Sequence, residues 1–317
     1  MMKEYDLLIT GCGLSSIFGA MEAASHGLNV LMIEKSIDIS YPPSGPMFVS
    51  SQTHDRYFSK YEKYVYGKFG TFTLKTDDFE NDYLIEKGSE IVSIDREKLI
   101  RHMCSDLAQN GVDIRIKSYL EHINEISSGF QVKAVIEGRS EEFLCKMIAF
   151  GDGNLKSEYI VHQKGCNFHS YNSSYSRSIS PRTLDSKFAV YVQNDGKYTV
   201  EAHRGKLREV LAIGVSAEDH RGTVSHFDYI GQLHSCFPST RRGMALLGNM
   251  MGSTRVLGTP VRDIIELSLE SIRYLLDEEG DKKDNMLLEK WKDTEGSWNN
   301  QDLDPVDYIK EKIPIGL

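Results

Sequence analysis

Residues 5–34 constrain the fold more than any other stretch of the chain. YDLLIT (5–10) is an apolar run that stops at glycine, as a buried parallel strand does. LSSIFGAMEAASH (14–26) places Ile17, Ala20, Met21 and Ala24 at helical spacing, and Gly27 follows as a stop. LNVLMIE (28–34) is a second buried strand that ends in an acid. A strand, a glycine turn, a helix and a parallel strand within about 30 residues form a β-α-β unit. The turn reads Gly11-Cys12-Gly13-Leu14-Ser15-Ser16, so the third glycine of G-x-G-x-x-G is replaced by Ser16.

Each position has its own physical task. Gly11 allows the tight turn out of the strand, and Gly13 lets backbone approach a pyrophosphate. The first-turn amides, at Leu14, Ser15 and Ser16, face the phosphate oxygens. The third position sets only how closely helix and strand pack, and serine is small enough to stand there. Glu34 ends the second strand about 20 residues on from the glycines, where a carboxylate meets an adenosine ribose, and Lys35 follows it. An acid at that point favours a free 2′-hydroxyl, hence FAD or NAD rather than NADP. The rival reading is a strand–helix turn packed with small residues. The strand, the helix and the spaced acid together weigh against it.

Composition excludes several classes. The net charge of −9 argues against a nucleic-acid binder, which needs a basic footprint. The five cysteines are scattered, with no C-x-x-C pair, so neither a disulfide framework nor a zinc site is read, and no other metal-ligand set stands out. No apolar run reaches the roughly 18–20 residues of a membrane-spanning helix, and the N-terminus carries no secretory pattern. The expected location is the cytoplasm.

Further along, residues 36–94 read as loops and short strands. DREKLIRHMCSDLAQN (95–110) reads as a helix with a Leu99, Met103, Leu107 stripe. VDIRIKS reads as a strand, and FQVKAVIEG with EEFLCKMIAF as a hairpin ending at Gly151-Asp152-Gly153. Residues 160–240 alternate strand-like pieces with turns, which predicts an antiparallel sheet. MALLG (244–248) reads as a short buried strand, residues 260–277 as a helix, and the charged tail as partly helical.

Three blocks resemble the flavoprotein superfamily of p-hydroxybenzoate hydroxylase, in its geranylgeranyl reductase-like branch. DLLITGCGLSSIFGAMEAASHGLNVLMIEKS is similar to the FAD-binding unit. IDREKLIRHMCSDLAQNGVDIRIKS through KMIAFGDG is similar to the Asp-Arg-x-x-Leu helix, strand, hairpin and Ala-Asp-Gly turn. MALLGNMMGSTRVLGTPVRDIIELSLESI is similar to the Gly-Asp-Ala-Ala-Gly segment and its helix.

The resemblance implies an α/β fold: an FAD-binding Rossmann-like three-layer domain (1–160, with 241–280 returning to it), an inserted antiparallel β-sheet substrate region (161–240) and a C-terminal helical tail (281–317). It implies that Gly11, Gly13 and Glu34 hold the ADP half of FAD, and that Arg96 contacts the pyrophosphate or ribityl region. The bland alternative for Arg96 is a surface arginine in a helix first turn, where the dipole gives it no advantage. Asp152-Gly153 closes a turn near the nucleotide, or is an ordinary strand-end turn.

Some family positions differ. Gly248-Asn249 replaces Gly-Asp, so an uncharged amide stands where a carboxylate meets the ribityl chain. Met250-Met251 replaces Ala-Ala, and the loop at the flavin ring is matched loosely by RVLGTPV, with Gly258. The Tyr-x-Trp-x-Phe-Pro pattern of the reductases is not intact.

The implied activity is an FAD-dependent oxidoreductase acting on a small or isoprenoid-like substrate. It would draw on an external electron donor, NAD(P)H or a redox protein. A flavin-dependent aromatic monooxygenase and a degenerate flavoprotein fold without turnover are the alternatives. No catalytic acid–base pair is identified.

Overall fold

The computed structural model describes residues 2–40, 45–76, 80–85, 90–151, 167–192, 198–213, 226–234, 243–247 and 261–276. Its organising element is a mixed sheet with the opening β-α-β unit at its centre. β1 (Lys3–Thr10) leads through α1 (Leu14–Ser25) to β2 (Val30–Ile33), and β1 and β2 pair in parallel from Leu7↔Val30 to Thr10↔Ile33. Gly27, with φ 77°, closes the end of α1 in the left-handed region that glycine adopts without strain.

The chain next builds a small antiparallel sheet. Its strands are β3 (Met47–Ser50), β4 (Val65–Phe69) and, beyond two others, β7 (Ile91–Ile94), in the order β3-β7-β4. Between β3 and β4 lie α2 (Ser51–Tyr57), capped by the Ser50 hydroxyl on the Thr53 N–H, and a 3-10 segment (Ser59–Tyr64). Between β4 and β7 run β5 (Thr71–Lys75) and β6 (Glu80–Leu84).

α3 (Arg96–Gln109) follows and buries the expected Leu99, Met103 and Leu107, together with Ile100 and Cys104. Burying a side chain of this size contributes about 1.5–3 kcal/mol, so the stripe accounts for how the helix is seated. β8 (Asp113–Arg115) then joins β2 in parallel. β9 (Tyr119–Ile126), β10 (Gly129–Ile136) and β11 (Arg139–Phe150) form an antiparallel meander, and β11 returns alongside β1 in parallel from Lys3↔Phe143 to Thr10↔Phe150.

Two faces of the central sheet bury two cores, as the two-residue alternation of a strand requires. Leu7, Ile9, Val30 and Met32 pack with α1 and α3. Tyr5, Leu8, Leu31 and Ile33 pack with Phe130, Val132 and Phe143 of the meander. This is the three-layer Rossmann-like α/β arrangement.

A second sheet is built from β12 (Asn167–Val192), β13 (Tyr198–Ile213) and β14 (His226–His234), with β12 at its centre. β5 lies parallel to β12 at Ala189↔Thr73, and β6 pairs β5 at the edge. β5 and β6, read from sequence as part of the loops and short strands of the first unit, therefore belong to this sheet.

β15 (Met244–Leu246) brings the chain back to β11, in parallel at Ile148↔Met244. α4 (Val261–Leu276) then packs against α1. Gly19 makes that approach possible: a Cβ there would stand 3.2 Å from Ile272 Cγ1 and 3.3 Å from Leu247 Cδ1. The deepest residues of α4 are Ile265, Ser268, Ser271 and Ile272. Among the described residues, no helix is long and apolar enough to cross a membrane.

Candidate dinucleotide site

The carboxyl ends of β1, β2, β11 and β15 lie together, which is the edge where open α/β sheets bind ligands. Gly11 has φ 77°, a conformation that other residues enter only with strain. Its N–H donates to Ile33 O at 2.8 Å, which ties the turn to the end of β2. Gly13 is the N-cap of α1, extended at φ −73°, ψ 173°. Among the described residues, no side chain caps this helix and no acid stands in its first turn, so its N-terminal amides and dipole are not compensated by a capping side chain. Among the described residues, a Cβ on Gly13 would meet nothing nearer than Gly151 O at 4.0 Å, so their packing does not require glycine there.

Glu34 is placed as the spacing predicts. Its Oε2 accepts the Cys12 N–H at 2.8 Å and its Oε1 accepts the Ser36 N–H at 2.8 Å. One bond to each oxygen leaves further lone pairs for a ribose diol. Lys35, next in sequence, is exposed, while Leu14 and Ser15 are buried in the first turn of α1. Ser16 is fully buried, and its Oγ donates to Thr10 O at 3.2 Å. Gly151 N–H donates to the same carbonyl at 3.0 Å. The serine at the third glycine position is thus bonded inside the strand–helix junction and does not project into the turn.

Asp95 and Leu99, the flanking members of the Asp-Arg-x-x-Leu pattern, have structural work. Asp95 is the N-cap of α3, with Oδ1 accepting the Lys98 N–H at 3.1 Å, and Leu99 is fully buried. Arg96 is the first residue of that helix and half-buried. Burial alone would raise the Asp95 pKa, but its bonds from Tyr66 and Lys98 and the Lys98 charge hold it below the ordinary carboxylate value.

α3 reaches the glycine turn along its length. Cys104 and Cys12 are buried against one another and hydrogen-bonded, and that contact, burial and the nearby Glu34 charge push the Cys12 thiol well up. Sequence reasoning missed the Cys12–Cys104 contact and the role of Gly151, since both pair residues far apart in the chain. Asp152, Gly153, Gly248, Asn249 and Gly258, also read from sequence as cofactor residues, lie outside the described residues.

Compared with known proteins, the first 25%-identical curated relative is digeranylgeranylglycerophospholipid reductase 2 of Methanosphaera stadtmanae. The match runs over 157 residues, 48% of this chain but only 40% of that protein. In three dimensions the chain resembles a geranylgeranyl bacteriochlorophyll reductase-like protein from Thermoplasma acidophilum. The TM-score is 0.72 at 17% identity, over 92% of this chain and 84% of that one. The chain is thus similar in sequence, over about half its length, to digeranylgeranylglycerophospholipid reductases, and it shares the fold of a geranylgeranyl reductase-like protein.

The fold is shared with further solved structures. The p-nitrophenol 4-monooxygenase PnpA from Pseudomonas putida DLL-E4 superposes with a TM-score of 0.67 at 13% identity, over 91% of this chain and 87% of that one. No family model matches the chain. The chemistry of the glycine turn, the helix N-terminus and Glu34 fits the adenosine diphosphate half of a dinucleotide such as FAD.

Proposed function

We propose that the chain is an FAD-dependent oxidoreductase that reduces or oxidises a small or isoprenoid-like organic substrate. The observation that carries this reading is the junction of Gly11, Gly13 and Glu34. A left-handed glycine, an uncapped helix N-terminus and a carboxylate bonded to the turn stand at one sheet edge. Bound FAD would supply the hydride chemistry, and the protein would supply binding and orientation.

In this reading Gly11, Gly13, Leu14, Ser15 and Ser16 present backbone to the pyrophosphate. Glu34, flanked by Lys35, accepts the adenosine ribose hydroxyls, and Arg96 contacts the pyrophosphate or ribityl region. Asp152, Gly153, Gly248, Asn249 and Gly258 complete the cofactor site. Residues 1–160 with 241–280 form the cofactor domain, 161–240 the substrate region and 281–317 a helical tail. The protein acts in the cytoplasm and takes electrons from NAD(P)H or a redox protein. The name of the curated relative supports an unsaturated isoprenoid lipid as the substrate class.

The test is the visible spectrum of the purified protein before and after denaturation. The two-banded spectrum of oxidised flavin, with FAD released, is the expected result. A protein that is colourless and takes up no added FAD overturns the reading and leaves a repurposed scaffold. Oxygen consumption coupled to NAD(P)H in the presence of a phenol would instead mark a monooxygenase.

A further inference from the structure

Asp95 is the meeting point of the cofactor helix and the second sheet. It is 4% exposed, and its Oδ2 accepts the Tyr66 hydroxyl from β4 and lies 2.9 Å from Lys98 Nζ. The Tyr66 oxygen accepts in turn from Arg177 Nη2 on β12 at 3.1 Å. The Arg177 guanidinium donates from Nε and Nη2 to Glu209 Oε1 on β13, at 3.1 and 2.9 Å, and Glu209 is 3% exposed. A continuous chain of directional bonds therefore runs from β13 through β12 and β4 to the N-cap of α3.

The rest of the contact between the second sheet and the small sheet comprises an apolar core and one further bond, from Arg204 Nη1 on β13 to Val65 O on β4 at 3.2 Å. Phe188 sits edge-on to Phe48 at 5.0 Å and tilted against Phe69 at 5.6 Å, within a core that includes Phe72, Leu74 and Val190. Apolar contacts hold two layers together but are non-directional. Bonds to a buried carboxylate are directional, and they lose more than an exposed pair does when broken. The polar chain is thus suited to fixing the relative placement of the layers. α3 is held at two points: Cys104 against Cys12 of the glycine turn, and Asp95 in this chain about 13–14 Å away toward the start of the helix. Arg96 directly follows the second point.

We propose that Tyr66 and Arg177 are positioning residues that act through Asp95. They set the first turn of α3, and so Arg96, against the pyrophosphate, and they make the grip on the cofactor depend on the sheet of the substrate region. The proposal rests on the reading of Arg96 as a cofactor contact.

Tyr66→Phe removes one hydroxyl and leaves Asp95 with Lys98 and Arg177 with Glu209. FAD is titrated, by flavin fluorescence, into flavin-free wild type, Tyr66→Phe, Arg96→Ala and the double variant. The expected result is an FAD Kd raised about fivefold or more by Tyr66→Phe in the wild-type background and changed by less than about twofold in the Arg96→Ala background. An equal effect in both backgrounds shows a general structural role and overturns the proposal, as does no effect in either. Wild-type affinity in Arg96→Ala overturns it while leaving the flavoprotein reading in place. A wild type that takes up no FAD overturns both. If Tyr66→Phe lacks a cooperative thermal transition, Arg177→Gln carries the same cycle.

Discussion

Ser16 Oγ occupies the space that a Cβ on Gly151 would need, and Ser16 and Gly151 both hydrogen-bond to Thr10 O. Two departures from the pattern that the sequence resembles are therefore one steric exchange. The third glycine of the turn has become serine, and the residue before Asp152-Gly153, where the similar turn has alanine, has become glycine. The volume of the junction between α1 and the end of β11 is shared out differently.

Gly151→Ala should destabilise the protein by about 1–3 kcal/mol, as overpacking of a close-packed junction does. Adding Ser16→Gly should recover most of that loss, because the alanine methyl then takes the vacated space. Thermal unfolding of the two single variants and the double variant checks the coupling. Additive losses would show that the two residues do not share one space.

Gly13 separates binding from folding. Its φ of −73° suits any L-residue, and a Cβ would meet no atom of the described residues closer than 4.0 Å. Gly13→Val should leave the melting temperature near that of wild type. It should weaken FAD by more than about tenfold, or about 1.4 kcal/mol, by holding the phosphate away from the amides. Calorimetry paired with an FAD titration checks this. A parallel fall in both would assign Gly13 to the fold.

Tyr5 makes an alkaline prediction. Burial, then the bond to Asp113 Oδ2 at 2.9 Å and the charge of that carboxylate, push its pKa up to about 12 from an ordinary value of 10.0. The folded pKa is raised, so the stabilisation is complete below pH 10 and is lost as pH rises through about 12. Tyr5→Phe should cost about 1 kcal/mol at neutral pH. The gap between wild type and variant, followed by urea unfolding, should close between pH 10 and 12. A gap independent of pH would show that the hydroxyl contributes nothing through its proton.

The opening unit was legible because its signals are local. The apolar runs, Gly11, Gly27 and the spacing to Glu34 all lie within 30 residues, and the stripe of α3 announces itself by period. β12 was not legible over its first half. NFHSYNSSYSRSISPRT has no alternation of apolar and polar residues, and it is a strand because β13 and β14 pair with its two edges. Its partner β5 was hidden for the same reason, being 116 positions away at Ala189↔Thr73. The chain of bonds at Asp95 joins Tyr66, 29 residues away, to Arg177, 111 residues beyond Tyr66. Sequence spacing could mark Arg96 but not what holds it.

Glu34 distinguishes the dinucleotide from its flavin half. Its two oxygens anchor the turn through the Cys12 and Ser36 amides, at 2.8 Å each, and keep lone pairs for ribose hydroxyls. On the proposed reading, the groups held at this turn are the adenosine and the pyrophosphate. ADP should compete with FAD for the wild-type protein, and FMN should bind more weakly than FAD by at least about a hundredfold, or some 2.7 kcal/mol. Glu34→Ala removes the ribose contact and orphans the Cys12 N–H, at a stability cost of about 1–3 kcal/mol. Glu34→Gln retains one acceptor oxygen and should fall between wild type and alanine in both FAD affinity and melting temperature. Competition titrations with ADP and FMN on all three proteins check the ranking, and an FMN affinity equal to that of FAD would place the recognition elsewhere in the molecule.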